Sequence, residues 1–174
     1  MNDITLIKRA VKGDKRAFEA LLQENYDVMF KMAFKYCGNR QDAEDITQDS
    51  CIKLARALAS YKFQAAFTSW LYRLVLNCAK DFYRKKKPEA VLNDSHIGAI
   101  NAEAEIKTYA NEILAQVYAL PENEKSALIL VMSDGYTHAE AAIIMDCKES
   151  TVSWYIHEAR KKLNILIEKE PHHG

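Results

Sequence analysis

Along FTSWLYRLVLNCAKDFYRKKK, residues 67–87, apolar side chains return every three or four positions with no Gly or Pro to interrupt them. At about 100° per residue, Phe67, Leu71, Leu74, Val75, Cys78 and Phe82 fall on one helical face, with Trp70 at its flank. The other long segments keep the same period, and none sustains the two-residue alternation of a half-buried strand. The expected fold class is all-α: two small helical domains joined by a flexible linker, the second containing a helix-turn-helix.

The opposite side of this helix carries Ser69, Arg73, Leu76, Asn77, Lys80, Tyr83, Arg84 and Lys87. Cations, an amide and a ring on one strip suit single-stranded nucleic acid, which offers phosphates, base edges and π faces together. Each stacked base contributes roughly 1–3 kcal/mol, against a few kcal/mol to extrude a base from duplex. The same strip also reads as a solvated face that keeps a domain soluble, and spacing alone does not choose between the two.

Few breakers divide the chain. Gly13-Asp14 separates a short first helix from a second carrying Phe18, Leu21, Leu22, Met29, Phe30, Ala33 and Phe34, which Gly38-Asn39 closes as a left-handed cap. A third helix is expected from near Asp42 to Tyr61, followed by the loop KFQAAFT. From Pro88 to about Ile100, Pro, Gly, Asn, Asp and Ser occur without periodicity, the composition of a tether. Beyond it, Ile106, Tyr109, Ile113, Leu114 and Val117 make one stripe, and Pro121 stands near the start of a helix with Leu128, Leu130 and Val131. Domains are thus expected at 1–87 and 101–174, with 88–100 as linker.

The last two helices have helix-turn-helix spacing. Gly135-Tyr136 turns the chain, Thr137 and Glu140 have the spacing of a capping box, and MDCKES separates AEAAIIM from TVSWYIHEARKKL. Small Ala141 and Ala142 stand where two helices must cross closely, and the final helix would present its N-terminal face to a major groove.

An apolar content of 49% is enough to bury a core. No run of about 18 apolar residues is present to cross a bilayer, and the opening MNDITLIKRA is charged where a signal peptide is apolar, so no membrane insertion and a cytoplasmic location are expected. Cys37, Cys51, Cys78 and Cys147 lie far apart among apolar neighbours and read as small core residues. Neither a metal site nor a catalytic residue nor a cofactor is expected. Net charge is zero, but unevenly spread: residues 1–87 hold 17 basic against 10 acidic side chains, and residues 88–174 hold 7 against 14.

Nearly the whole chain resembles an extracytoplasmic-function sigma factor of bacterial RNA polymerase. The residues that carry the resemblance are Gly13-Asp14, Ala17-Phe18-Glu19, Tyr26, Ala43-Glu44-Asp45, Gln48-Asp49, Phe67, Trp70-Leu71, Arg73, Asn77, Asp81 and Arg84, then Thr151-Val152, Ala159-Arg160 and Leu163. The resemblance implies that the first domain grips core RNA polymerase and melts the minus-ten promoter element, while the second binds the minus-thirty-five element as duplex. It places Asp45, Gln48 and Asp49 at the polymerase contact. It places Asn77 and the loop from Lys62, which includes Phe63, at a pocket for a flipped minus-ten base, beside Arg73, Lys80, Tyr83 and Arg84. Trp70 is assigned to packing. The family also implies an anti-sigma factor as partner.

The acidic run Asp42, Glu44, Asp45, Asp49 also reads as a solvated helix start, each carboxylate worth 0.3–1 kcal/mol near the macrodipole's positive end, or as magnesium ligands of a helical phosphohydrolase. No second carboxylate motif at matching spacing supports that enzyme. The second domain departs from the family pattern at Lys148, Tyr155 and Glu158, and residues 120–174 carry 6 basic against 9 acidic side chains. So acidic a module should bind duplex weakly alone, which tethering offsets; the acidic surface reads equally as a protein dock. Its candidate base readers are Ser153, Trp154, Tyr155 and His157, with Lys148, Arg160 and Lys161 on phosphates, and Thr151 is expected among the same minus-thirty-five DNA-binding residues. His157 reads equally as a surface histidine. The alternative function is a stand-alone helix-turn-helix transcription regulator, which would not need the acidic helix at Asp45–Asp49.

Overall fold

A computed structural model of the chain describes residues 4–86 and 103–167, and the side chains of 4–86 and 111–163 among them. Eight α-helices occupy the described residues: α1 (Ile4–Val11), α2 (Lys15–Cys37), α3 (Arg40–Ala57), α4 (Phe67–Lys86), α5 (Glu103–Ala119), α6 (Glu122–Leu128), α7 (His138–Met145) and α8 (Glu149–Ile167). The tether expected at 88–100 and the side chains of Lys87, Ile106 and Tyr109 lie outside the described residues.

Side-chain caps set the breaks. Asp14 accepts from the Ala17 amide at the start of α2. Gly38, at φ +76°, ends α2 in the left-handed region, and a Cβ there would stand 2.5 Å from the Tyr118 ring; the turn and the close approach both require glycine. Asn39 then caps α3 by accepting from the Asp42 amide, so α3 begins two residues before the expected Asp42. Its C-terminal end tightens into a 3₁₀ turn over Leu58–Ser60. Thr137 and Glu140 form a reciprocal capping box on α7.

The helix expected after Pro121 does not run regularly. After α6 it widens into a π turn, Ile129–Ser133, closed by the Asp134 amide donating to the Ile129 carbonyl. This keeps Leu130 fully buried and turns Met132 outward.

α1 to α4 surround Leu21, Met29, Ile46, Leu54, Leu71 and Val75, and α6 to α8 surround Leu130, Ile144 and Val152. The buried residues nevertheless form one continuous cluster. α7 packs on α4, Tyr72 meets Tyr136 edge-on at 5.5 Å, and the Lys125 ammonium lies 4.2 Å from the Tyr36 ring centroid. The two helical modules therefore dock on each other.

Candidate functional site

Three surfaces carry the residues singled out by the sequence. On α3, Asp45, Gln48 and Asp49 share one exposed face, being three and four residues apart. Ile52, 52% exposed one turn further on, extends that face with an apolar contact that the apolar stripe of α3 conceals in the sequence. Asp42 is different: it is buried, not solvated. It accepts from Asn39 Nδ2 at 2.9 Å, Tyr83 Oη at 3.1 Å and Lys86 Nζ at 2.8 Å. Burial pushes its carboxyl up, but the hydrogen bonds from Asn39, Lys86 and Tyr83 outweigh it and hold the group below the usual carboxylate value. Among the described residues no three His, Cys, Asp or Glu side chains converge as metal ligands.

The second surface centres on residues 61–66 and α4. Tyr61 Oη donates to the Ala65 carbonyl at 2.6 Å and closes the loop on itself. Tyr61, Phe67 and Trp70 pack at 5.3 to 5.8 Å, so Trp70 belongs to the loop's apolar base. Phe63 rides on Tyr61 at 4.6 Å with φ +57°, a conformation unusual for a bulky side chain. Beside this loop opens a cleft of about 350 Å³, lined by Lys62, Gln64, Trp70 and Arg73 and walled on its far side by Ile143 and Asp146 of the α7 end.

The strip along α4 is not one solvated face. Asn77 and Arg84 are exposed, with Arg84 3.2 Å from Asp81. Leu76, expected outward, is buried. The Tyr83 ring tilts against Tyr36 at 6.2 Å while its hydroxyl reaches Asp42, so this ring packs rather than projects. Arg73 donates through Nε to the Ile144 carbonyl at 3.1 Å and through its guanidinium to the Ile143 carbonyl, and stands 3.4 Å from the Asp146 carboxylate. Lys80 is half-buried, its ammonium 2.9 Å from Asn123 Oδ1, and burial pushes its pKa down.

The third surface is the outer face of α8. Val152, Ile156 and Ala159 are buried against the second core, which turns Ser153, His157, Arg160 and Lys161 outward. Trp154 is 55% exposed with its ring 5.3 Å from that of Tyr155. Lys148 is exposed before the helix, and Thr151 is half-buried in its first turn. Two readers are already engaged: Ser153 Oγ pairs with His138 Nδ1 at 2.8 Å, and the Tyr155 hydroxyl accepts from Asn123 Nδ2 at 3.2 Å. His138, Asn123, Ile143 and Asp146 had no motif to mark them, because their place depends on packing between remote helices.

An all-helical body with a cationic, loop-flanked helix and a helix-turn-helix defines a two-module nucleic-acid-binding protein. Residues 21–89 match Sigma-70 region 2 and residues 110–163 match Sigma-70, region 4. Over 97% of its length the chain is 31% identical to the ECF RNA polymerase sigma-E factor of Escherichia coli (strain K12), covering 95% of that protein. It is 30% identical to the RNA polymerase sigma-H factor of Pseudomonas aeruginosa over 95% of this chain and 94% of that one. Among solved structures it is similar in fold to CnrH in complex with the cytosolic domain of CnrY, with TM-score 0.68 and 22% identity over 96% of this chain and 97% of that one. The sigma factor RpoE of Bartonella quintana, solved with the anti-sigma factor NepR, gives TM-score 0.62 and 19% identity over 88% and 98%. The chain belongs to the extracytoplasmic-function group of the sigma-70 family. It is a sigma factor that associates with core RNA polymerase and promoter DNA and directs promoter-specific transcription.

Proposed function

We propose that the work is divided between residues 1–87, which bind core polymerase and the melted minus-ten element, and residues 101–174, which bind the minus-thirty-five element as duplex, with 88–100 as the connection. The exposed face Asp45, Gln48 and Asp49 docks the polymerase, and Ile52 adds an apolar contact at its end. The cleft beside residues 61–66 receives an extruded base, with Lys62 in its lining, Phe63 on the neighbouring face of the loop and Asn77 exposed on α4. Arg73, Lys80 and Arg84 meet the strand's phosphates, and Tyr83, held by Asp42, sets the angle between α3 and α4. On α8 (Glu149–Ile167), Ser153, Trp154, Tyr155 and His157 read bases, while Lys148, Arg160 and Lys161 contact phosphates and Thr151, in the first turn, joins the minus-thirty-five contact.

The observation that carries this reading is the cleft itself. A volume of about 350 Å³, an aromatic base and flanking cations are what an unstacked base needs. The chain supplies no catalysis and no cofactor; catalysis belongs to the polymerase. It acts in the cytoplasm, and no helix among the described residues is long and apolar enough to cross a membrane. An anti-sigma factor is its antagonist, by likeness to the sigma factor RpoE, solved in complex with the anti-sigma factor NepR. A stand-alone regulator would have no use for the acidic α3 face. Asn77→Ala tests the base-reading role: permanganate footprinting with saturating core polymerase should show reduced minus-ten melting while polymerase binding is unchanged. Equal melting would refute it.

A further inference from the structure

A serine hydroxyl carries one proton and two lone pairs, so on a recognition helix it can serve either an amino group or a carbonyl of a base. Ser153 has less freedom than that. Its Oγ lies 3.2 Å from the Glu149 carbonyl, one turn back along α8, and 2.8 Å from Nδ1 of His138, the first residue of α7. A carbonyl oxygen only accepts, so the serine proton goes to Glu149. With that proton committed, the bond to His138 requires the imidazole to supply the hydrogen from Nδ1. The reverse arrangement, Ser153 donating to a bare Nδ1, would set oxygen against oxygen at Glu149 and satisfy one contact where the geometry provides for two.

The fold holds His138 where it can do this. Thr137 caps α7 by accepting from the Glu140 amide, and the Glu140 carboxylate accepts in return from the Thr137 amide and hydroxyl. The first turn of α7 is thereby fixed, and its acidic side chain is engaged by Thr137, leaving the imidazole to Ser153. Ala141, Ala142 and Ile144 of α7 and Val152 and Ile156 of α8 are buried where the two helices pack. That packing brings His138 to a residue fifteen positions later, with both side chains still exposed.

We propose that His138 is a positioning residue that sets base specificity at the minus-thirty-five contact: by donating Nδ1–H to Ser153 it leaves that hydroxyl an acceptor only. One lone pair of Oγ remains for a base. It recognises an amino group, adenine N6 or cytosine N4, and rejects guanine O6 and thymine O4 in the same place, where two oxygens would meet with no proton between them. His138 acts through Ser153 without touching the base. This rests on the assignment of Ser153 to base reading.

The test uses the full chain assembled with core RNA polymerase. Holoenzymes carrying wild type or Ser153→Ala select from a pool of random-sequence duplexes, and the base-pair position whose preference the substitution erases is the one that Ser153 reads. If no position changes, the assignment of Ser153 to base reading fails, and His138 has no reader to orient. At the position found, competition binding compares the selected duplex with two altered ones. In the first, purine replaces adenine, or 2-pyrimidinone replaces cytosine, which deletes only the amino group. In the second, the two bases exchange strands, which puts a carbonyl oxygen where the amino group stood. Wild type should lose about fivefold on deletion, roughly one hydrogen bond exchanged with water, and about tenfold on exchange. His138→Ala should cut the exchange penalty to less than about twofold, because the released hydroxyl can rotate and donate. His138→Asn, whose Nδ2 can stand in for Nδ1 as donor, should restore it. A wild type indifferent to loss of the amino group overturns the proposal. So does an exchange penalty unchanged in His138→Ala, or a His138→Ala that weakens all three duplexes alike, the mark of a merely structural residue.

Discussion

Replacing Asp42 with Ala should separate what the buried carboxylate does from what the exposed ones do. Asp42 sits at the start of α3 and receives three donors, two of them from α4, forty-one and forty-four residues away. Removing it does not cost the same at each. The Lys86 side chain is 48% exposed and can return to water, so that ion pair is worth at most about 1 kcal/mol. The Tyr83 hydroxyl is packed between α2 and α4 and would lose its acceptor, a penalty of about 1–3 kcal/mol. Loss of the negative charge in the first turn adds 0.3–1 kcal/mol. Together Asp42→Ala should destabilise the chain by about 2–4 kcal/mol, seen in urea melts as a lower midpoint at unchanged slope. For a chain of this size the corresponding fall in Tm is roughly 5–15 °C. The pH dependence has a definite sign. The folded carboxyl lies below its ordinary value of 3.8, so its contribution is present above that pH and is lost as pH falls through the folded pKa. The gap between wild type and variant should therefore narrow on acidification below about pH 4. A cost under about 0.5 kcal/mol, or a gap that does not change with pH, would refute the reasoning.

Asp49→Lys, on the exposed face of α3, should leave stability within about 0.5 kcal/mol of wild type while abolishing co-purification with core polymerase; retained co-purification removes α3 from that contact. Gly38→Ala and Gly135→Ala form an internal pair, with φ +76° and +74°. Both should incur about 1 kcal/mol of left-handed strain, but only at Gly38 does the new Cβ strike the Tyr118 ring, at 2.5 Å, whereas nothing lies within 4 Å at Gly135. Urea melts should show Gly38→Ala to be the costlier by at least about 1 kcal/mol, and equal costs would mean that Tyr118 yields freely.

Much of the chain is readable locally. The three-and-four spacing of Phe67, Leu71, Leu74, Val75 and Cys78 specifies α4 and its buried face, because a helix with one apolar stripe has one way to hide it. Asp14, Gly38 and the Thr137–Glu140 box mark helix ends because their side chains, or the lack of one, satisfy backbone groups within a few residues. Tertiary structure alone decided the second face of α4. Leu76 is buried and Tyr83 turned inward on the side that periodicity assigns to solvent. Arg73 and Lys80 lie against another module with no apolar signal, since carbonyls of α7 and the amide of Asn123 compensate their charges. Docking that is paid for by polar partners seventy or forty residues away leaves no period in the sequence, and so the helices can be read from the chain while their mutual embrace cannot.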